Sequence, residues 1–146
     1  MPDAPSLTIN RRLNAPRAKV YAAWTDPAQL TGWFGNPQIA RARAELDVRE
    51  GGHFRITMVG QDAQELEVSG VYREVVPGER LVFTWAWGGT PERVSRVTVR
   101  LKDDGAGTLL TLLHEQFFDE EACQRHNQGW IAALDNLDRF IAQQEA

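Results

Sequence analysis

One amphipathic segment near the end of the chain constrains the fold more than any other feature. From about Asp119 to Gln143, apolar residues recur every three or four positions, which predicts a helix with a single buried stripe. The stripe consists of Cys123, His126, Trp130, Ala133, Leu134, Leu137 and Ile141. Three acidic residues, 119–121, occupy the predicted first turn, where the helix dipole favours negative charge. A helix with one apolar face has to pack against a second layer of structure.

Gly129 interrupts this predicted helix directly before Trp130. Glycine in a helix interior costs about 1 kcal/mol relative to alanine. We expect Gly129 to make room for close packing beside Trp130, and shaping of a cavity is the alternative.

The rest of the chain supplies the second layer. A first strand over residues 6–14 is followed by two short helices and then by six runs separated by turn signals, a spacing typical of an antiparallel meander. These runs cover residues 38–49, 53–59, 65–76, 80–87, 93–101 and 108–114. The pattern predicts an α+β fold, in which a curved antiparallel sheet of about seven strands wraps around the long final helix. We expect one domain over residues 1–146.

The two short helices are expected to close one end of the sheet. Pro16 fits the first turn of the first helix, and Asp26 and Pro27 fit the cap and first position of the second. The predicted apolar faces are Val20, Ala23 and Trp24, then Leu30, Trp33 and Phe34, and Gly35–Asn36–Pro37 should end the second helix.

Charge and composition exclude several classes of protein. The net charge of −4 gives no general attraction to nucleic acid or to anionic membranes. The arginines at positions 11, 12, 41, 43 and 49 are interpreted as solvated strand faces. Cys123 is the only cysteine, so no intrachain disulfide can form. We predict a cytoplasmic protein, because the first residues lack a secretory apolar region and no apolar run could insert in a membrane.

The segment "RLVFTWAW" carries an unusual aromatic face. Phe83, Trp85 and Trp87 point to the same side of a strand, and Phe54, Ile56 and Met58 could extend this surface. Two interpretations stay open. These side chains either form plain core, or they line an apolar cavity where sheet and helix do not fully meet.

No motif for catalysis, metal binding or a cofactor is present, so no catalytic residue, metal or cofactor is predicted. The three histidines, His53, His114 and His126, lie on three different predicted elements. His114 follows an apolar strand face, and it is interpreted as a structural histidine, with a ligand anchor or a proton-transfer group as the alternatives. Cys123 and His126 are neighbours on one helix face, which needs no catalytic reason.

An ordered set of segments resembles the family named after the activator of the heat-shock-protein-90 ATPase, in the START-like (SRPBCC, helix-grip) superfamily. These segments are "APRAKVYAAWTDPAQLTGWF", "REGGHFRI", "GVYREVVPGERLVFTW", "SRVTVRL", "GTLLTLLHE" and "GWIAALDNL". Each is weak alone, but together they span nearly the whole chain in family order. The resemblance implies the helix-grip fold and a cavity between the sheet and the final helix. It does not fix an activity, since one fold hosts many functions.

Three functions remain open. The first is binding of an unidentified small hydrophobic molecule in that cavity. The second is a cofactor-free enzyme of the cyclase or hydratase type, with His114 or Tyr72 in acid–base roles. The third is a co-chaperone; the eukaryotic activators carry an N-terminal domain that this sequence lacks. A chaperone and a second copy of the chain, forming a homodimer, stay open as partners. The predicted ligand-binding residues are Trp33, Phe34, Phe54, Ile56, Met58, Tyr72, Phe83, Trp85, Trp87, His114, Trp130 and Leu134.

Overall fold

The computed structural model describes residues 4–34 and 39–145 of the chain. It contains seven strands and three helices in the predicted order. Their bounds are β1 (Leu7–Leu13), α1 (Arg17–Thr25), α2 (Pro27–Leu30), β2 (Ile39–Leu46), β3 (His53–Gly60), β4 (Glu65–Val76), β5 (Arg80–Trp87), β6 (Ser95–Asp104), β7 (Gly107–Glu115) and α3 (Glu120–Glu145).

All seven strands form one curved antiparallel sheet with the order β1-β7-β6-β5-β4-β3-β2. The meander from β2 to β7 is confirmed. β1 pairs with β7 at the far edge, where Leu7 lies opposite His114 and Leu13 lies opposite Thr108. β1 and β2 are consecutive strands in the chain, yet they occupy the two edges of the sheet. Therefore α1 and α2 have to bridge from one edge to the other.

The long helix is confirmed, and its ends differ by one or two residues from the prediction. Asp119 lies just before α3 and caps it, since its side chain accepts a hydrogen bond of 2.8 Å from the backbone N–H of Ala122. The predicted stripe is buried, apart from the half-buried His126. Arg11 of β1 and Asp135 of α3 form an ion pair of 2.8 Å beside this stripe.

The short helices also match the prediction. Val20, Ala23 and Trp24 are the buried residues of α1. Asp26 caps α2 by accepting a hydrogen bond of 3.1 Å from the Ala28 backbone N–H. Two details differ, because Pro16 precedes the first helical residue and α2 ends at Leu30, before Trp33 and Phe34. The predicted helix stop at residues 35–37 and the predicted strand start at residue 38 lie outside the described residues.

The arginines that stand close together in the sequence lie in exposed or half-exposed positions beside carboxylates. Four of the five form ion pairs, with N–O distances of 2.8 Å for Arg11–Asp135, 2.9 Å for Arg12–Asp104, 3.8 Å for Arg43–Glu65 and 2.9 Å for Arg49–Asp47. Their positive charge is therefore largely matched locally.

The expectation for Gly129 is wrong. Gly129 is exposed, and a Cβ built on it would meet no atom within 4 Å apart from its own helix and chain neighbours. Among the residues that the structure describes, no strand or other helix comes close at this edge of the stripe. The residue therefore neither makes room for packing nor shapes a cavity.

We expect Gly129→Ala to raise the free energy of unfolding by about 0.8–1 kcal/mol, since the helix loses its glycine penalty without a new contact. Urea denaturation measures the change. Gly105→Ala is the control, because Gly105 is also unobstructed but has a φ of +62°, which strains alanine. Gly105→Ala should destabilise the protein. A loss of stability in Gly129→Ala would contradict the open position of this glycine.

Candidate functional site

An apolar pocket lies between the sheet and α3, at the end that α1 and α2 close. We call it the aromatic pocket. Its lining comes from all three helices, from the turn after α2 and from strands β2 to β5. The lining residues are Trp24, Leu30, Phe34, Leu46, Phe54, Ile56, Tyr72, Leu81, Phe83, Trp85 and Trp130. None of these side chains carries a charge. The volume of the pocket is about 20 Å³, which is close to the volume that one water molecule requires.

Trp85 is the central side chain of the aromatic pocket. Its ring centroid lies 5.1 Å from that of Trp130 on the helix side, and 6.0 and 6.4 Å from those of Phe34 and Phe54. A glycine makes this packing feasible on the strand side. A Cβ at Gly70 would lie 2.7 Å from the Phe54 ring and 1.9 Å from the backbone oxygen of Thr84. The Phe54 ring therefore fills the space that a side chain at Gly70 of β4 would occupy.

Two lining residues keep partial exposure. Phe34, in the turn after α2, and Leu46, at the end of β2, are half-buried, whereas the other nine are buried. The aromatic pocket therefore comes nearest to solvent between Phe34 and Leu46. Phe34 packs with its ring centroid 6.0 Å from that of Trp130.

The structure brings together seven of the twelve residues that the sequence suggested for ligand binding. Phe34, Phe54, Ile56, Tyr72, Phe83, Trp85 and Trp130 all line the aromatic pocket. Four lining residues were not predicted: Trp24, Leu30, Leu46 and Leu81. Each stands on an apolar face that the sequence shows, but the pattern alone does not say which end of a face meets the pocket.

Five suggested residues lie outside the lining. Trp33 is buried behind Trp24, and its indole N–H donates to the Ala23 backbone oxygen at 3.0 Å. Met58 and Leu134 are buried core residues further along β3 and α3. Trp87 and His114 belong to a polar cluster beyond Trp85.

His114 is fully buried and both of its ring nitrogens have protein partners. The Trp130 indole N–H donates to His114 Nδ1 at 3.0 Å, so Nδ1 carries no proton and Nε2 does. Nε2 then donates to the hydroxyl of Ser95 at 2.7 Å, and this hydroxyl donates to the Trp85 backbone oxygen at 3.2 Å. This arrangement supports the structural interpretation of His114.

A second histidine packs against the first, with the ring centroids of His114 and His126 5.0 Å apart. His126 Nδ1 donates to the Ala122 backbone oxygen at 2.7 Å, and Nε2 accepts the Trp87 indole N–H at 2.9 Å. Burial, together with nearby His126, lowers the pKa of His114 to about 2. Burial also lowers the pKa of His126, against the effect of its hydrogen bond to Ala122. Both imidazoles are therefore neutral at pH 7.

We expect the free energy of unfolding to fall on acidification. The unfolded His114 side chain takes up a proton below about pH 6.5, whereas folded His114 stays neutral down to about pH 2. Between these values the loss is up to about 1.4 kcal/mol per pH unit. Urea denaturation at several pH values should show a shallower slope in His114→Asn, whose side-chain oxygen can still accept from Trp130. Equal slopes in both proteins, or an imidazole proton resonance of His114 that titrates near pH 6.5, would contradict the prediction.

Among the described residues, the polar groups show no metal-type cluster and no hydrogen bond between Cys123 and His126. Within residues 4–34 and 39–145, no three or more His, Cys, Asp and Glu side chains are placed to hold a metal ion. His53 is exposed on β3, away from the other two histidines. Both nitrogens of His126 are engaged by Trp87 and Ala122, so His126 does not serve as a base for Cys123. In the same described ranges, no helix has the length and apolar character that crossing a bilayer requires.

A seven-stranded curved sheet that holds a long final helix over an apolar pocket defines a helix-grip protein of the START-like class. Residues 14–142 match the family described as "Activator of Hsp90 ATPase homolog 1-like protein". The chain therefore belongs to this family, as the sequence segments indicated. No curated protein matches this sequence.

Several solved structures share the fold across nearly the whole chain. A protein from Chromobacterium violaceum is 26% identical, with a TM-score of 0.86 and coverage of 96% of this chain and 98% of that one. CalU16 from Micromonospora echinospora is 34% identical, with a TM-score of 0.72 and coverage of 97% and 79%. A protein from Rhizobium leguminosarum is 28% identical, with a TM-score of 0.77 and coverage of 97% and 96%.

Proposed function

We propose that this chain, as a single START-like domain, binds a small hydrophobic molecule in the aromatic pocket. The observation that carries the proposal is the lining itself: ten uncharged side chains from seven helices and strands, together with Phe34 from the turn after α2, converge between the sheet and α3. Ligand pockets are typically walled by apolar and aromatic side chains in this manner. Membership of a START-like family adds support, because a cavity at this position is what the resemblance implies.

The small volume sets a condition on binding. Pockets for drug-sized ligands have volumes of about 300–1,000 Å³, whereas the volume of this pocket is about 20 Å³. Side chains of the lining therefore have to move outward when a ligand enters. Phe34 is the best placed to do so, because it is half-buried and lies in a turn rather than in the sheet.

Binding is better supported than turnover. His114 was one candidate for an acid–base role, but its two nitrogens are held by Trp130 and Ser95. Tyr72 is the other candidate and remains on the pocket wall without a second acid–base side chain among the lining residues. A wall of this composition can hold an apolar molecule, but it offers few groups that could transfer protons.

The test uses the neutral fluorophore N-phenyl-1-naphthylamine. The wild-type protein should bind it saturably, and Phe34→Ala should bind it about tenfold more tightly, as expected when one or two more methylene equivalents of probe are buried. Phe118→Ala is the matched control, because Phe118 is 63% exposed and does not line the pocket. It should leave the affinity unchanged. Absence of saturable binding to both wild type and Phe34→Ala would contradict the proposal and favour a function of the outer surface.

A further inference from the structure

The five tryptophans of the chain differ in how their indole N–H groups are satisfied. Three of them donate to protein acceptors: Trp33 to the Ala23 oxygen at 3.0 Å, Trp87 to His126 at 2.9 Å and Trp130 to His114 at 3.0 Å. The remaining two, Trp24 and Trp85, have buried N–H groups with no partner among the described residues. Both of these side chains line the aromatic pocket.

This coincidence needs a physical reason, because buried donors are nearly always paired in native proteins. The two side chains are 5% and 4% exposed, so bulk solvent does not satisfy them. Both rings also pack against the ring of Trp130. The Trp130 centroid is 6.0 Å from that of Trp24 and 5.1 Å from that of Trp85. Both side chains with unpaired donors therefore line the same pocket beside Trp130.

Tyr72 carries the remaining polar group of the lining, since the Trp130 N–H is bonded to His114. Tyr72 is buried, and its burial raises the pKa of the phenol well above its usual range, with smaller effects of Tyr21 and Asp47. The hydroxyl thus keeps its proton at neutral pH. The eleven lining side chains include no carboxylate, no cation and no amide. The wall therefore supplies donors to a ligand but no charge.

We propose that the ligand of the aromatic pocket is a neutral, largely apolar molecule with a carbonyl oxygen, which accepts hydrogen bonds from the indole N–H groups of Trp24 and Trp85. This inference rests on the proposed function and specifies the chemical class of its ligand. A charged ligand is disfavoured, because burying an unpaired charge is costly. A pure hydrocarbon would leave both donors unsatisfied.

The present size of the pocket fits this assignment. A space of about 20 Å³ accommodates a group of the size of one oxygen atom or one water molecule. A carbonyl oxygen at this position keeps the hydrogen bonds that a water would make there, while the apolar body of the ligand takes the place of the side chains that move.

The test compares two probes of the same shape, 2-acetylnaphthalene and 2-isopropenylnaphthalene, which differ by a carbonyl oxygen against a methylene carbon. Their affinity ratio is measured in the wild type and in the Trp24→Phe/Trp85→Phe double variant, so that the different solvation of the two probes cancels. The preference for the ketone should fall at least about three- to tenfold in the double variant, since loss of a single neutral hydrogen bond already has that effect and the double variant removes both donors. Trp87→Phe is the matched control, because its N–H is paired with His126 outside the pocket; it should keep the wild-type ratio.

A second measurement needs no variant. In the nitrogen–proton spectrum of the wild type, the indole N–H signals of Trp24 and Trp85 should move downfield with the ketone and less with its isostere. Binding of both probes with an unchanged ratio in the double variant, or with equal indole shifts in the wild type, would overturn the carbonyl assignment and leave hydrophobic binding intact. Failure of both probes to bind saturably would overturn the proposed function together with this inference.

Discussion

Trp130→Ala should destabilise the protein by about 3–5 kcal/mol, the usual cost of removing a buried large aromatic side chain. Trp130 is 3% exposed, and its ring packs against those of Trp24 and Trp85. The loss should reach the upper end of this range, since the substitution also leaves buried His114 Nδ1 without its donor. Urea denaturation measures the loss.

Two further variants separate the causes. Trp130→Phe keeps much of the ring packing but removes the indole N–H, so its cost reports mainly the unpaired His114. Ile131→Ala changes the next residue of α3, which is 41% exposed, and it should cost less than about 1 kcal/mol. A loss below about 1 kcal/mol in Trp130→Ala would show that the ring stabilises neither the core nor the His114 network.

Gly70→Ala should cost about 3 kcal/mol or more, although it adds only one methyl group. The new Cβ would lie 1.9 Å from the Thr84 backbone oxygen on the neighbouring strand. A backbone oxygen cannot rotate away as the end of a flexible side chain can. The pairing of β4 with β5 therefore has to shift, and the Phe54 ring has to leave its position over Gly70.

Gly88→Ala is the control for this prediction, because the nearest atom to its Cβ would be 3.6 Å away, an ordinary contact distance. We expect a change of less than about 1 kcal/mol there. Should Gly70→Ala fold with the stability of Gly88→Ala, the close approach of β4 and β5 at this position would be wrong.

The element order and the sheet could be predicted because each element carries its own period. The alternation in 80–87 and the three- and four-residue spacing around Trp130 are local properties of the chain, and the turn signals between strands allow few topologies. The extent of the aromatic pocket, by contrast, depends on how distant parts of the chain pack together. In the sequence, Trp24 and Trp33 both stand on apolar helix faces, so the pattern does not separate them. In the structure, Trp24 lines the pocket, whereas Trp33 lies behind it with its N–H bonded to the Ala23 backbone oxygen.

Gly129 is a second position where the sequence pattern does not determine the packing. A helical wheel places it at the edge of the stripe, one residue from Trp130. Whether an edge position is covered depends on how closely the neighbouring strand approaches, and no strand approaches here. The hydrogen-bond pairs of the tryptophans also depend on ring orientation, which only the packed structure provides.

The pairing of β1 with β7 has a consequence for the order in which the sheet can assemble. The two strands join residues 7–13 to residues 108–114, whereas the strands from β2 to β7 are connected by short turns. Local hairpins close quickly, and contacts between distant parts of a chain form more slowly because more chain entropy is lost first. During synthesis, β1 is made before the other six strands, but it cannot pair until β7 has been made. The hairpins are therefore expected to form early. The docking of β1, together with α3, should complete the fold.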